Sequence, residues 1–185
     1  MLAELTEAVE ARHPWTRGHA HRVAGLAVAV ARTLGWSDEA LGNIRAGSLL
    51  HDVGKLAVPA AVLAKPGPLS ASELTEVRRH PAAGAVLVSS LPGAGRALPS
   101  ILHHHERWDG TGYPGGIAGA AIPAEARLVG LADAYDAMTS CRPYRSTLTV
   151  HQALEELARC AGTQFDPLMT HACIETWSAS VRIAV

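Results

Sequence analysis

Five histidines and two aspartates stand where a folded chain could gather them: His19, the His51-Asp52 pair, His80, the His104-His105 pair and Asp133. Imidazole nitrogens and carboxylate oxygens without a thiolate are ligands for Fe, Mn, Zn, Ni or Co, and the donor types do not choose among these metals. Seven donors exceed what one tetrahedral ion uses, whereas two adjacent ions sharing a carboxylate would employ them well. Singly, each signal is weak. Leu49-Leu50 before His51-Asp52 turns the pair inward, and a buried carboxylate needs a compensating cation. Lys55 can supply one, so an ordinary buried salt bridge is the simpler reading of that stretch alone.

Helices are the elements that must position these groups. The chain has 185 residues, of which 48% are apolar and 18% charged. That composition describes a globular chain, most simply one domain over residues 1–185. Phe occurs once, so Ala, Leu and Val fill the core. Such an Ala-rich, aromatic-poor composition points to helices, and the expected fold is an all-α bundle of about seven to eight of them. The net charge of −1, from 16 basic and 17 acidic residues, argues against a DNA or RNA duplex as partner. It leaves room for one small anionic ligand. Cys141, Cys160 and Cys173 lack CxxC spacing and fit a reducing cytosol. The N-terminus has no basic-then-apolar signal, and no stretch approaches the roughly 20 apolar residues of a membrane span. A cytoplasmic location is expected, with any membrane attachment coming through a partner.

Along the chain, residues 2–12 form a first helix, broken at His13-Pro14. A second runs from Thr16 to Leu34, with Val23, Leu26, Val30 and Leu34 as its buried stripe and His19 extending that stripe by a turn. Taken alone, His19 reads more simply as a core histidine bonded to a carbonyl. Ser37 caps a third helix whose face carries Leu41, Ile44, Ser48 and His51, and Gly54 is expected to close it. Residues 56–69 read as a loop. Ser70 and Glu73 have capping-box spacing; that helix should end by His80, with Pro81 in the first turn of the next. Pro99 opens a helix carrying His103, His104 and His105. At about 100° per residue, two neighbouring imidazoles can enter one cavity while the third points away.

The segment from Trp108 to Gly119 holds five glycines and can approach a ligand closely or simply turn at the surface. Pro123 opens a helix whose buried side is Leu128, Leu131, Ala132, Tyr135 and Met138, with Asp133 and Asp136 beside that stripe at i,i+3. Arg142 and Arg145 are either a charged turn or two guanidinium groups for phosphate. Thr149 and Gln152 open a further helix to about Ala161, and a last one spans 167–178. His13, His21, His151 and His171 belong to no cluster and read as surface residues.

The order of these features resembles the HD-GYP family, a branch of the HD superfamily of metal-dependent phosphohydrolases. The motifs that carry the resemblance are His51-Asp52-Val53-Gly54-Lys55, Lys65-Pro66-Gly67, His80-Pro81, His104-His105-Glu106-Arg107-Trp108-Asp109-Gly110, Gly112-Tyr113-Pro114 and Arg142-Pro143-Tyr144-Arg145. They span about residues 15–167. The resemblance implies an HD-domain-like helical bundle, a site of two or three metals, and hydrolysis of cyclic di-GMP to linear pGpG and in some members to GMP.

By position, it implies that one metal takes His19, His51, Asp52 and Asp133. The other takes His80, His104 and His105, with Asp52 bridging and a bridging water as nucleophile. Fe or Mn is the expected pair, with Zn, Ni or Co as alternatives. Lys55 would hold a phosphate oxygen, and Tyr113, Arg142 and Arg145 would contact the nucleotide. The chain's lysines, Lys55 and Lys65, stand out against an arginine-rich background and suggest special roles for both. Members with a third metal have Glu at the position of Trp15, so two metals are expected. Two other readings accompany this one: the same chemistry on another cyclic dinucleotide, and a non-catalytic module whose GYP loop docks a diguanylate cyclase (GGDEF) domain.

Overall fold

The computed structural model describes residues 2–12, 16–91, 93–140 and 147–183. The described residues are helical: α1 (Leu2–Arg12), α2 (His19–Thr33), α3 (Asp38–Leu50), α4 (Ala60–Leu63), α5 (Ala71–Arg78), α6 (His80–Ser89), α7 (Leu98–His103), α8 (Ala124–Thr139), α9 (Val150–Arg159) and α10 (Pro167–Ile183). The all-α expectation holds. There are more segments than the seven to eight expected because some are short; α4 is a single turn within the stretch read as a loop.

The helix starts follow the predicted caps. Ser37 Oγ accepts from the Ala40 amide at 3.3 Å. Ser70 with Glu73 and Thr149 with Gln152 form complete capping boxes at α5 and α9. Pro81 sits in the first turn of α6, where its missing N–H costs nothing.

Two apolar clusters build the interior. The larger joins α2, α3, α8, α9 and α10 through Val23, Val30, Ile44, Leu128, Leu131, Leu157 and Trp177. The smaller joins the end of α3 to α6 and α7 through Leu50, Val53, Val88 and Ile101. Fully burying a Leu, Ile or Val contributes about 1.5–3 kcal/mol, so these side chains fix which helix ends meet. The α2 stripe differs from expectation. Ala27 and Ala31 are buried with Val23 and Val30, whereas Leu34 is 41% exposed. Small alanines let α2 lie close to α3 and α8, and Leu34 falls past the end of the packed face at the C-cap.

Gly54 does not close α3, which ends at Leu50; it lies within a 3₁₀ turn, Val53–Ala57. A Cβ at Gly54 would stand 1.8 Å from the His80 carbonyl oxygen and 2.5 Å from the Gly84 amide. The glycine is needed for close approach of the His51-Asp52 segment to α6. No described helix is long and apolar enough to cross a membrane. Cys160 and Cys173 are free thiols, and Cys141 lies outside the described residues.

Candidate metal centre

The candidate histidines lie at or just past helix ends, and Asp133 projects from the interior of α8. His19 opens α2, His51 caps α3, His80 opens α6, His104 and His105 follow α7, and Asp133 comes from α8. Their rings form a continuous group. Centroids are 5.3 Å apart for His19–His51, 5.0 Å for His51–His104, 4.1 Å for His104–His105 and 5.0 Å for His80–His105. Donor atoms within 4.8 Å of one another fall into three overlapping sets: His80 with His104 and His105, His19 with His51 and Asp133, and His51 with Asp52 and His104. The sets share His51 and His104, so all seven predicted donors meet in one place.

Backbone carbonyls fix three of the imidazoles. His51 Nδ1 donates to the Ser48 carbonyl at 2.7 Å, and His80 Nδ1 to that of Val77 at 2.7 Å. His104 Nδ1 donates to the carbonyls of Ser100 and Ile101, each at 3.0 Å. These contacts place the proton on Nδ1 and leave a lone pair on Nε2, the arrangement that metal-binding histidines use. Among the described residues, His51 Nε2 is buried without a hydrogen-bond partner. His80 Nε2 and His104 Nε2 face each other at 3.3 Å. Two neutral imidazoles with both Nδ1 protons committed present lone pairs to one another there. A cation between or beside them removes that repulsion, so the donors fit a metal.

The electrostatics agree. Burial pushes the His80 pKa down to about 4, with Lys55 and His105 adding repulsion. Burial likewise lowers His104 and His105, and the crowd of imidazoles lowers His104 further. These rings are therefore neutral at pH 7 and available as ligands. Burial alone would raise the Asp52 pKa, but Lys55, His51, His80 and His104 hold it well below the usual carboxylate range. Its Oδ1 lies 3.4 Å from His80 Nε2, its Oδ2 3.5 Å from His51 Nε2 and 2.5 Å from Lys55 Nζ.

His19 is the exception. Burial opposes its charge, yet hydrogen bonds to Asp133 and Asp136 raise its pKa to about 9. Its Nδ1 lies 2.7 Å from Asp136 Oδ2 and its Nε2 3.2 Å from Asp133 Oδ1. Asp136 was legible only as the i,i+3 neighbour of Asp133. It is 3% exposed and also receives Arg22 Nε at 2.6 Å and Nη2 at 3.0 Å. Asp136 thus orients the His19 ring while Arg22 anchors the carboxylate. Asp136→Asn is expected to weaken metal retention by about 10–100-fold without unfolding the chain, as read by competition with a chelating indicator.

The remaining predicted residues divide. Tyr113 stacks on His105, centroids 4.8 Å apart at 26°, and lines a cavity of about 340 Å³ that also reaches His104, His105 and Asp133. Glu106, unassigned from the sequence, is buried and accepts the Gly115 amide at 2.6 Å, so it holds the glycine-rich loop against the site. His103 points away from the ligand group toward Glu106, at 3.7 Å. Lys65 pairs with Glu73 at 2.6 Å at the start of α5 and is not among the residues that line the cavity. Arg142, Arg145, Trp15 and His13 lie outside the described residues. His21, His151 and His171 are exposed, as expected.

A family model described as the HD domain matches residues 4–169. The chain belongs to the HD-domain family, and its motifs are those of the HD-GYP branch. It is 41% identical over 175 residues to the cyclic di-GMP phosphodiesterase response regulator RpfG of Xanthomonas campestris pv. campestris, covering 94% of this chain and 46% of that one. It is 35% identical over 188 residues to 3'3'-cGAMP-specific phosphodiesterase 2 of Vibrio cholerae, covering 99% and 35%. The chain therefore spans less than half the length of these relatives. A solved cyclic GMP-AMP specific phosphodiesterase of V. cholerae, V-cGAP3, has the same fold, with a TM-score of 0.72 at 21% identity over 98% of this chain and 50% of that one.

Proposed function

We propose that this chain is a metal-dependent phosphodiesterase that opens cyclic di-GMP to linear pGpG, and in a second step to GMP, on a two-metal centre. The observation that carries the reading is the set of unpartnered or mutually facing Nε2 lone pairs around Asp52, beside a cavity large enough for a nucleotide. His19, His51, Asp52 and Asp133 would hold one ion and His80, His104 and His105 the other, with Asp52 shared. Fe or Mn suits this nitrogen-rich, thiolate-free set, as do Zn, Ni and Co. Bound divalent cations would supply charge to the phosphoryl oxygens and acidify the attacking water.

The chain's own groups do the rest. Asp136 and the Ser48, Val77 and Ser100 carbonyls fix the ring orientations. Lys55 neutralises Asp52 and is the nearest ammonium for a phosphate oxygen. Tyr113, held by its stack on His105, borders the cavity where a base or ribose would lie. Arg142 and Arg145 would add anion contacts.

A second substrate, 3'3'-cGAMP, is favoured by the relative named for it. Chromatography of products from cyclic di-GMP, 3'3'-cGAMP and pGpG separates the two readings: faster opening of cyclic di-GMP supports the first, and exclusive opening of 3'3'-cGAMP replaces it. Docking of a GGDEF domain would use the outer edge of the same loop, where Pro114, Gly115 and Gly116 are exposed while Tyr113 turns inward.

A further inference from the structure

We propose that Arg78, a residue outside the metal centre, is an anion contact for the substrate's second phosphodiester, the one not being cleaved. The inference rests on the cyclic-dinucleotide reading above. Such a ring carries two phosphodiesters. When one lies on the cation centre, the other is a separate anion that the protein either holds or leaves to solvent.

Among the described residues, three arginines line the cavity: Arg78, Arg107 and Arg127. Two are committed. Arg107 Nη2 binds Asp109 Oδ2 at 2.8 Å and Arg127 is paired with Asp166. Arg79, next along the chain, is also tied, to Glu76 at 2.7 Å. Arg78 has neither an ion pair nor a side-chain hydrogen bond among the described residues. Its guanidinium lies over the Tyr113 ring, 5.4 Å from the centroid. Tyr113 in turn stacks on His105, so one aromatic ring separates this free charge from the ligand group.

The placement is built into the local fold. Arg78 ends α5, two residues before His80, whose ring is pinned to the Val77 carbonyl. The loop that carries Tyr113 is pinned through Glu106 and Gly115. An aromatic face orients a guanidinium without using its N–H donors. All five donors stay available, and a phosphodiester accepts two of them side by side. The carboxylates that share the cavity are otherwise engaged: Asp166 with Arg127, Glu106 with the Gly115 amide, and Asp133 with His19.

The test uses the full chain loaded with Mn²⁺, as wild type, Arg78→Gln and Arg78→Lys. Each is assayed on cyclic di-GMP and on bis(p-nitrophenyl) phosphate, which has a single phosphodiester. For Arg78→Gln the ratio of kcat/KM on the dinucleotide to that on the small diester should fall about tenfold, with the loss in KM. Arg78→Lys should recover part of it. An unchanged ratio, or a loss confined to kcat, overturns the assignment of Arg78 and leaves the proposed function standing. A wild-type protein that cleaves the small diester but no cyclic dinucleotide overturns the proposed function, and this assignment with it.

Discussion

Asp52→Ala is expected to lower cyclic di-GMP turnover by about a thousandfold or more while the helical content stays at the wild-type level. The carboxylate touches both halves of the ligand set, through His51 on one side and His80 on the other. Removing it takes away the shared anion and leaves the Lys55 ammonium without its carboxylate, where it repels any entering cation. Bound metal should fall together with activity. The fold should survive, because Asp52 contributes to neither apolar cluster and the Lys55 side chain, 20% exposed, can reach water. Product chromatography, metal analysis and circular dichroism check the three parts. Turnover within tenfold of wild type would mean that Asp52 is only the salt-bridge partner of Lys55.

The second large effect is on stability. Gly54→Ala should destabilise the chain by about 3 kcal/mol or more, read as a lower urea midpoint. The atoms that an added methyl meets are the His80 carbonyl and the Gly84 amide, both backbone, so no rotamer change relieves the overlap. The 3₁₀ turn would have to move away from α6, and with it Asp52 from His80. Metal retention should therefore fall in the same variant. A Gly54→Ala protein as stable as wild type would contradict the close packing of the His-Asp segment on α6.

Much of this was legible before any coordinates. The inward direction of His51 followed from Leu41, Ile44 and Ser48 at helical spacing, and Ile44 and Ser48 are fully buried with it. Likewise, Pro81 and the capping boxes fixed where α5, α6 and α9 begin. The ligand set came from residue types together with the family resemblance, and the structure gathers all seven donors. What stayed hidden depends on pairing across the chain. Nothing local marks Asp136 as the partner of His19, which lies 117 positions away. Gly54 looked like a helix stop because close approach to α6 is a tertiary fact. Lys65 looked special by its rarity, yet local geometry gives it an ordinary ion pair with Glu73. The committed state of Arg107 and Arg127, and so the free charge of Arg78, needed side-chain positions.

If these seven side chains grip cations, hydrolysis depends on the bound metal. The most direct test is turnover of cyclic di-GMP by exhaustively chelated protein, before and after Mn²⁺ or Fe²⁺ is restored, with bound metal counted in parallel. The expected result is no product from the chelated protein, recovery on metal addition, and two equivalents bound at full activity. Undiminished turnover by protein shown to be metal-free would contradict it.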